Sequence, residues 1–319
     1  MTDCVIGFDT SCYTTSAACV SLEGRVLGSC RKLLPVALGQ RGLRQSEGVF
    51  NHVRQMPQVV KELFRTVGSV SIKAVGVSVA PRDGDDSYMP VFSVGDAHGR
   101  ALAAALGVPC FASTHQRGHV RAARVDSGLP EGPFLALHLS GGTTELMVFE
   151  GEVLRLLGGT LDLHAGQLVD RIGVRLGLPF PAGPHLEALA LKGEARALLP
   201  VAMAEGGLKC HFSGAEAQLT RGLAAGTLTP ANAAREVYDL LGRTVARMLA
   251  AGKAATGLNC ALVAGGVASS PLFRRVLEQR MAKLDRELQI YFGRPEYSGD
   301  NAVGPALLAL EKLRKDETL

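Results

Sequence analysis

Residues 14–27 read TTSAACVSLEGRVL, and residues 143–154 read TTELMVFEGEVL. Both open on a Thr-Thr pair, run through an apolar stretch, turn at Glu-Gly and leave on Val-Leu. β-branched and apolar residues flanking a Gly-containing turn mark two strands of a hairpin. Two short matches can arise by chance, so the weight falls on what surrounds them.

Working outward, apolar runs at 4–9, 15–21 and 25–30 read as strands, and 45–67 reads as a long amphipathic helix. A strand at 72–79, a helix at 95–106, a short strand at 109–112 and a histidine-bearing helix complete the order βββαβαβα. From Phe134 the grammar restarts. FLALHL, TTELMVF and EVLRLLG are strands, followed by helical patterns at 164–177, 183–191, 213–223 and 230–256. The strand CALVAG, a helix at 268–282, the strand LQIYFG and a helix at 300–313 finish it. The expectation is an α/β fold of two βββαβαβα halves, 1–130 and 131–319, divided at the GLPEGP turn of residues 128–133.

A chain of 319 residues with 47% hydrophobic and 20% charged residues is long enough for two ordinary domains with ample cores. With 5% aromatic residues and no Trp, base-stacking platforms of the single-strand-binding kind are unexpected. The net charge of +4 permits anionic partners without demanding them, with Arg41, Arg44, Arg117, Arg121 and Arg124 as candidates for a phosphate-facing patch. Seven cysteines with no C-x-x-C pair form no recognisable disulfide or zinc-ribbon framework, which suits a reducing interior. Neither a secretion signal nor an 18-residue apolar span is visible, so the expectation is a cytoplasmic protein with no membrane partner.

The stretch STHQRGHVRAAR, residues 113–124, carries His115 and His119 four residues apart, one face of a helix and a metal-ligand spacing. Zinc peptidases of that spacing need a Glu directly after the first His. Gln116 stands there and cannot accept a proton, which argues against a peptidase. A third ligand must come from elsewhere. Asp300, in EYSGDNAVGPALLAL, is by default a helix cap worth about 1 kcal/mol. In a duplicated fold the strand ends of both halves face one crevice, which would bring Asp300 to the two histidines. Two imidazoles and a carboxylate suit iron or zinc.

Each half also joins its first two strands through small residues, DTSCYTT at 9–15 and SGGTT at 140–144, and AGG at 264–266 lies between a strand and a helix. Such tips expose backbone N–H groups to phosphate oxygens. No P-loop or dinucleotide fingerprint competes, and GVSVA at 76–80 misses the G-x-S-x-G elbow, leaving Ser78 an ordinary strand residue. His52, His164 and His211 lie near these segments, and Cys12 occupies the first tip.

Taken in order, GFDTSCYTTSAA, NHVRQMP, HQRGH, LSGGTTELM, DLHAGQLVDRIGVRLGLPFPAGP, HFSGAEA, AGGVASS and SGDNA resemble the threonylcarbamoyl transferases that modify tRNA, once called glycoproteases. That family lies in the superfamily of actin, sugar kinases and heat-shock chaperones. The resemblance covers nearly the whole chain. It implies a duplicated actin-like, ribonuclease H-like fold of two lobes around a nucleotide cleft, with the metal on His115, His119 and Asp300. It further implies an adenine nucleotide, ATP or a carbamoyl-adenylate, lined by His138, Leu139, Ser140, Gly141, Gly142, Asp170, Gly183 and Ser270, with the AGG glycines Gly265 and Gly266. Its acceptor would be an adenine of tRNA, and a protein partner or a homodimer through helices is a further expectation. The sequence departs from the family pattern at several places. The acidic pair of SCDET is Tyr13 and Thr14, the His of SGGHT is Thr143, the Glu of AGE is Gln167, the Lys of FSGLK is Glu216 and the Asn of GGVSAN is Ser270. Loss of the acids leaves a small-molecule acceptor or a non-catalytic scaffold paralogue as alternatives, and no catalytic residue is assigned.

Overall fold

The computed structural model describes residues 1–11, 13–35, 43–84, 87–151 and 153–316; Cys12 and Arg41 lie outside the described residues. Two compact units form, Met1–Val125 with Gly299–Leu319, and Asp126–Ser298.

The first unit is built on strands β1 (Thr2–Thr10), β2 (Thr14–Ser21), β3 (Val26–Leu33), β4 (Val70–Ala80) and β5 (Cys110–Thr114) in the order β3-β2-β1-β4-β5. β1 pairs antiparallel with β2 and parallel with β4. Successive side chains of a strand point to opposite faces. Ile6 and Phe8 of β1 therefore join one core cluster with Met56 and Leu63 of α1 (Gln45–Val67) and Ala103 of α2 (Phe92–Leu106). Gly7 faces the other way, where a Cβ would stand 2.4 Å from the Ala302 carbonyl oxygen; Gly76 of β4 similarly meets Pro305 O at 2.2 Å. These glycines let α9 (Val303–Asp316) lie directly on the sheet. The sequence division at 130/131 groups this last helix with the second half. It packs instead on the first sheet, where Gly7 and Gly76 admit its backbone at close range.

Among the described residues the second unit has seven strands in the order β12-β11-β6-β7-β8-β10-β9. Its antiparallel β6 (Phe134–Leu139), β7 (Thr144–Glu150) and β8 (Val153–Thr160) repeat the β1–β3 pattern, and β11 (Cys260–Ala264) lies parallel to β6 as β4 does to β1. The Thr-Thr pairs of the sequence echo sit at equivalent strand starts, Thr14 opening β2 and Thr144 opening β7. β12 (Gln289–Phe292) extends the parallel side. Two three-residue strands, β9 (Ala202–Ala204) and β10 (Lys209–His211), form an edge that sequence periodicity does not announce, since three residues carry no measurable alternation. The core gathers around α4 (Ala165–Arg175), α5 (Gly183–Ala190), α6 (Ser213–Ala224), α7 (Pro230–Thr256) and α8 (Pro271–Leu284). α7 starts at N-cap Thr229, whose hydroxyl accepts from Asn232 N, with Pro230 in the first turn, and stops at Gly257 in the left-handed conformation. Among the described residues no helix is long and apolar enough to cross a membrane.

Candidate functional site

The first unit carries a cluster of metal-ligand type. α3 (His115–Ala123) begins immediately after β5, with Thr114 as N-cap, so His115 and His119 stand one turn apart at its start. Gly118 of α3 and Gly304 of α9 meet face to face; a Cβ on Gly304 would stand 2.0 Å from Gly118 O. That close approach brings the loop before α9 beside the histidines. His115 Nε2 and His119 Nε2 are 3.0 Å apart, and Asp300 Oδ1 lies 3.5 and 3.2 Å from them. Asp300 reaches them from within the same unit, because the chain returns to it at Gly299, and not from the second half as the duplicated-fold argument expects. Nor does it cap α9: Asn301 Oδ1 accepts from Val303 N at 3.0 Å.

The three donors fit a cation. Ligands about 2.0–2.1 Å from a tetrahedral zinc lie roughly 3.3 Å from one another, close to all three spacings here. Two imidazoles and one carboxylate with open positions also form the set that non-haem iron takes. Supporting groups orient each donor. Asp9, at the end of β1 and 1% exposed, places Oδ2 2.8 Å from His115 Nδ1. A carboxylate only accepts, so Nδ1 donates to Asp9 and Nε2 is the nitrogen turned to the cluster, the arrangement that outer-shell carboxylates impose on metal-binding histidines. Ser11 Oγ donates to Asp300 Oδ2 at 2.6 Å and leaves Oδ1 to the histidines. Asp9 Oδ1, the other oxygen of the same carboxylate, is buried without a hydrogen-bond partner. The field has the matching sign. Burial alone would lower the pKa of His115, yet Asp9 and Asp300 hold it well above the ordinary histidine value. Burial likewise opposes ionisation of Asp300, but the two histidines hold it well below the usual carboxylate range. Positive charge is favoured here whether a proton or a metal supplies it.

The arginines of the same helix are already engaged. Arg117 Nε lies 2.9 Å from both carboxylate oxygens of Asp83, and Arg121 Nε donates to Glu311. Arg124 caps the C-terminus of α3 and Arg44 the N-terminus of α1. Ser78 is buried within β4.

The second unit holds a cavity of about 360 Å³ lined by Gly141, Asp170, Gly183, Glu187, Tyr238, Gly266, Ser270 and neighbours. That volume suits a small ligand. Each wall has a local cause. Gly166 starts α4 hard against the SGG turn, where a Cβ would meet Gly141 N and Ser140 C and O at 2.6–2.7 Å. Asp170 Oδ1 accepts from Ala182 N at 2.8 Å and thereby fixes the segment leading into Gly183. Burial raises the Asp170 pKa against that hydrogen bond. Tyr238 donates to Gly183 O, and Ser270 Oγ caps α8 by accepting from Phe273 N. Gly265 has φ of 104°, and a Cβ there would stand 2.2 Å from Leu139 O and 2.7 Å from His138 Cδ2. His138, Leu139 and Gly265 thus pack against one another and are not among the residues that line the cavity: His138 is 8% exposed and Leu139 fully buried. Ser140 and Gly142 complete the turn, with Gly142 N donating to Ser140 Oγ at 3.4 Å. Among the substituted family positions, Glu216 pairs with Arg171 at 3.6 Å and Gln167 Oε1 accepts from His164 N.

Asp162 is a residue that sequence reading did not single out. It accepts from Leu163 N, Phe212 N, Ser213 N and Ser213 Oγ, and lies 3.4 Å from His211 Nδ1. A side chain from the β8–α4 loop thereby caps α6. Burial opposes its ionisation, but the Ser213 hydroxyl and these N–H groups outweigh it and hold the pKa well below the ordinary carboxylate value. A depressed carboxyl stabilises the fold fully above its unfolded pKa of about 3.9 and progressively less as pH falls toward the folded value. Urea unfolding of Asp162→Asn against the unsubstituted protein is therefore expected to show a constant stability gap from neutrality down to about pH 5, narrowing below about pH 4. A gap that widens on acidification would contradict the assignment.

Solved structures similar to this chain share its architecture. An activator of 2-hydroxyisocaproyl-CoA dehydratase from Clostridium difficile, with bound ADPNP, matches with a TM-score of 0.53 at 13% identity over 99% of this chain and 97% of that one. A ROK-family glucokinase from Streptomyces griseus, in complex with glucose and AMPPNP, matches with 0.55 at 14% identity over 97% and 99%. Full-length HypF in its phosphate- and nucleotide-bound form matches with 0.62 at 12% identity, over 98% of this chain and 46% of HypF. At such identities the likeness shows the fold, which is the actin-like α/β architecture with two sheets. The family model described as TsaD, tRNA N6-adenosine threonylcarbamoyltransferase, matches residues 45–307, and the chain belongs to that family.

Proposed function

We propose that the chain is a metal-dependent carbamoyl-type acyltransferase that takes its acyl group from an adenine nucleotide conjugate. The observation that carries this reading is the His115, His119 and Asp300 donor set with its Asp9 and Ser11 supports. A bound cation would supply Lewis acidity toward a carbonyl oxygen. His115, His119 and Asp300 would hold it. The cavity lined by Gly141, Asp170, Gly183, Gly266 and Ser270 is the proposed place for the adenylate; similar structures that bind ADPNP and AMPPNP support that choice. Ser140 and Gly142 shape its turn, while His138, Leu139 and Gly265 pack against one another outside its lining.

For the acceptor, family membership supports the amino group of an adenine in tRNA. A second reading, a small-molecule acceptor, rests on a specific observation. Arg117 and Arg121 are neutralised by Asp83 and Glu311, which removes two cations that a polynucleotide backbone would need. Tyr13 and Thr14 in place of the family's acidic pair, and Glu216 in place of its lysine, support the same reading. The test is expression in cells lacking their own transferase, with nucleoside analysis of tRNA by mass spectrometry. Under the tRNA reading the threonylcarbamoyl adenosine returns, and His115→Ala abolishes it. Its absence with well-folded, metal-loaded protein would sink the tRNA reading and leave the small-molecule acceptor.

A further inference from the structure

His52 lies in the middle of α1 with 0% exposure, and both of its ring nitrogens are engaged. Nε2 lies 2.8 Å from the Ser11 carbonyl oxygen, and Nδ1 lies 2.8 Å from Thr15 Oγ1. Thr15 Oγ1 is also 2.9 Å from Gln55 Oε1, and Gln55 Nε2 donates to Leu33 O at 3.1 Å. One turn of α1 thereby grips the end of β1, the start of β2 and the end of β3.

A carbonyl oxygen accepts only, so Nε2 of His52 carries a proton and donates it to Ser11. Ser11 is the residue whose hydroxyl holds the outer oxygen of Asp300. We propose that His52 is a positioning residue for the metal centre: by fixing the Ser11 carbonyl it aims the Ser11 hydroxyl at Asp300 Oδ2, which turns Oδ1 toward His115 and His119. The proposal rests on the metal reading of those three residues. Its physical basis is that a buried carbonyl deprived of its donor must find another, at a cost comparable to a lost hydrogen bond. Near Ser11 that means a shifted backbone. An oxygen held by a side chain on a shifted backbone no longer fixes a ligand to the few tenths of an ångström that coordination needs.

The experiment uses the full chain and Co(II) as probe, read by its visible absorption spectrum and by titration, beside the melting temperature of the metal-free protein. In His52→Asn the amide reaches the place of Nδ1 and keeps Thr15, but offers nothing to Ser11. In His52→Gln the amide nitrogen reaches the place of Nε2 and keeps the donor to Ser11. His52→Asn is expected to weaken Co(II) binding by about 10-fold or more and to change the spectrum, the usual cost of losing outer-shell support. His52→Gln is expected to resemble the unsubstituted protein. Ser11→Ala is expected to reproduce the loss, and adding His52→Asn to it to cost no more. An unchanged spectrum and affinity in His52→Asn, a loss of melting temperature without loss of affinity, equal defects in the Asn and Gln variants, or losses that multiply in the double variant would each overturn the proposal. If the unsubstituted protein takes up no Co(II), the metal reading itself fails and carries the proposal with it.

Discussion

His119→Ala is expected to abolish stoichiometric metal binding while leaving the fold intact. His119 contributes one of three donors, with Nε2 3.2 Å from Asp300 Oδ1 and 3.0 Å from His115 Nε2. Removing an outer-shell partner of a metal site typically costs 10- to 100-fold in affinity; losing a ligand should exceed about 100-fold. The fold is expected to survive in the metal-free protein, because Asp300 keeps Ser11 and His115 as partners when His119 is removed. Co(II) titration and elemental analysis of purified protein check the first expectation, and metal-free melting checks the second. Metal retained at one per chain would move the centre elsewhere. A collapse of the metal-free fold would mean that His119 is structural.

The His115 and His119 pair was legible in the sequence because helical spacing is a local property, and α3 supplies it. Asp300 was reached in the sequence by the duplicated-fold argument and by family likeness, not by any local pattern. Its approach depends on Gly118 and Gly304 allowing two helices to touch at backbone distance, and on α9 returning to the first sheet; no local pattern announces either. Asp9 and Ser11 escaped notice for a related reason. They sit in the DTS tip that reads as a phosphate-binding hairpin, and only the three-dimensional pairing of Asp9 with His115, 106 residues away, ties this tip to the histidine pair. Arg117 and Arg121 illustrate the converse. In sequence they read as free cations beside a histidine pair, but Asp83 and Glu311 neutralise them from 34 and 190 residues away. The repeated strand order was legible because it rests on apolar runs of six to nine residues such as β1, β2 and β6, whereas β9 and β10 were too short to stand out. The cavity glycines were legible as turn residues. What separates Gly265 from Gly266 is backbone conformation, which the letters AGG do not encode.

That separation gives the second large effect. At Gly265 the backbone has φ of 104°, and a Cβ would collide with Leu139 O at 2.2 Å. Gly265→Ala is therefore expected to destabilise the second unit by about 3 kcal/mol or more, combining left-handed strain with overpacking against a backbone atom that cannot step aside. Gly266 has φ of −59° and ψ of −39°, ordinary for any residue, and an added Cβ meets nothing within 4 Å. Gly266→Ala should leave melting unchanged or raise it slightly, since alanine lowers the entropy of the unfolded chain by about 0.4–1 kcal/mol. Yet Gly266 lines the 360 Å³ cavity, so the same methyl occupies space that an adenylate would use. If the cavity is the nucleotide site, overpacking of about 1–3 kcal/mol against a bound ligand becomes a loss of roughly 5- to 150-fold in affinity for a non-hydrolysable ATP analogue. Calorimetric titration beside thermal melting separates the two adjacent variants: one loses stability, the other loses only the ligand. A Gly266→Ala protein that binds the analogue as tightly as the unsubstituted chain would place the nucleotide outside this cavity, whatever becomes of Gly265→Ala.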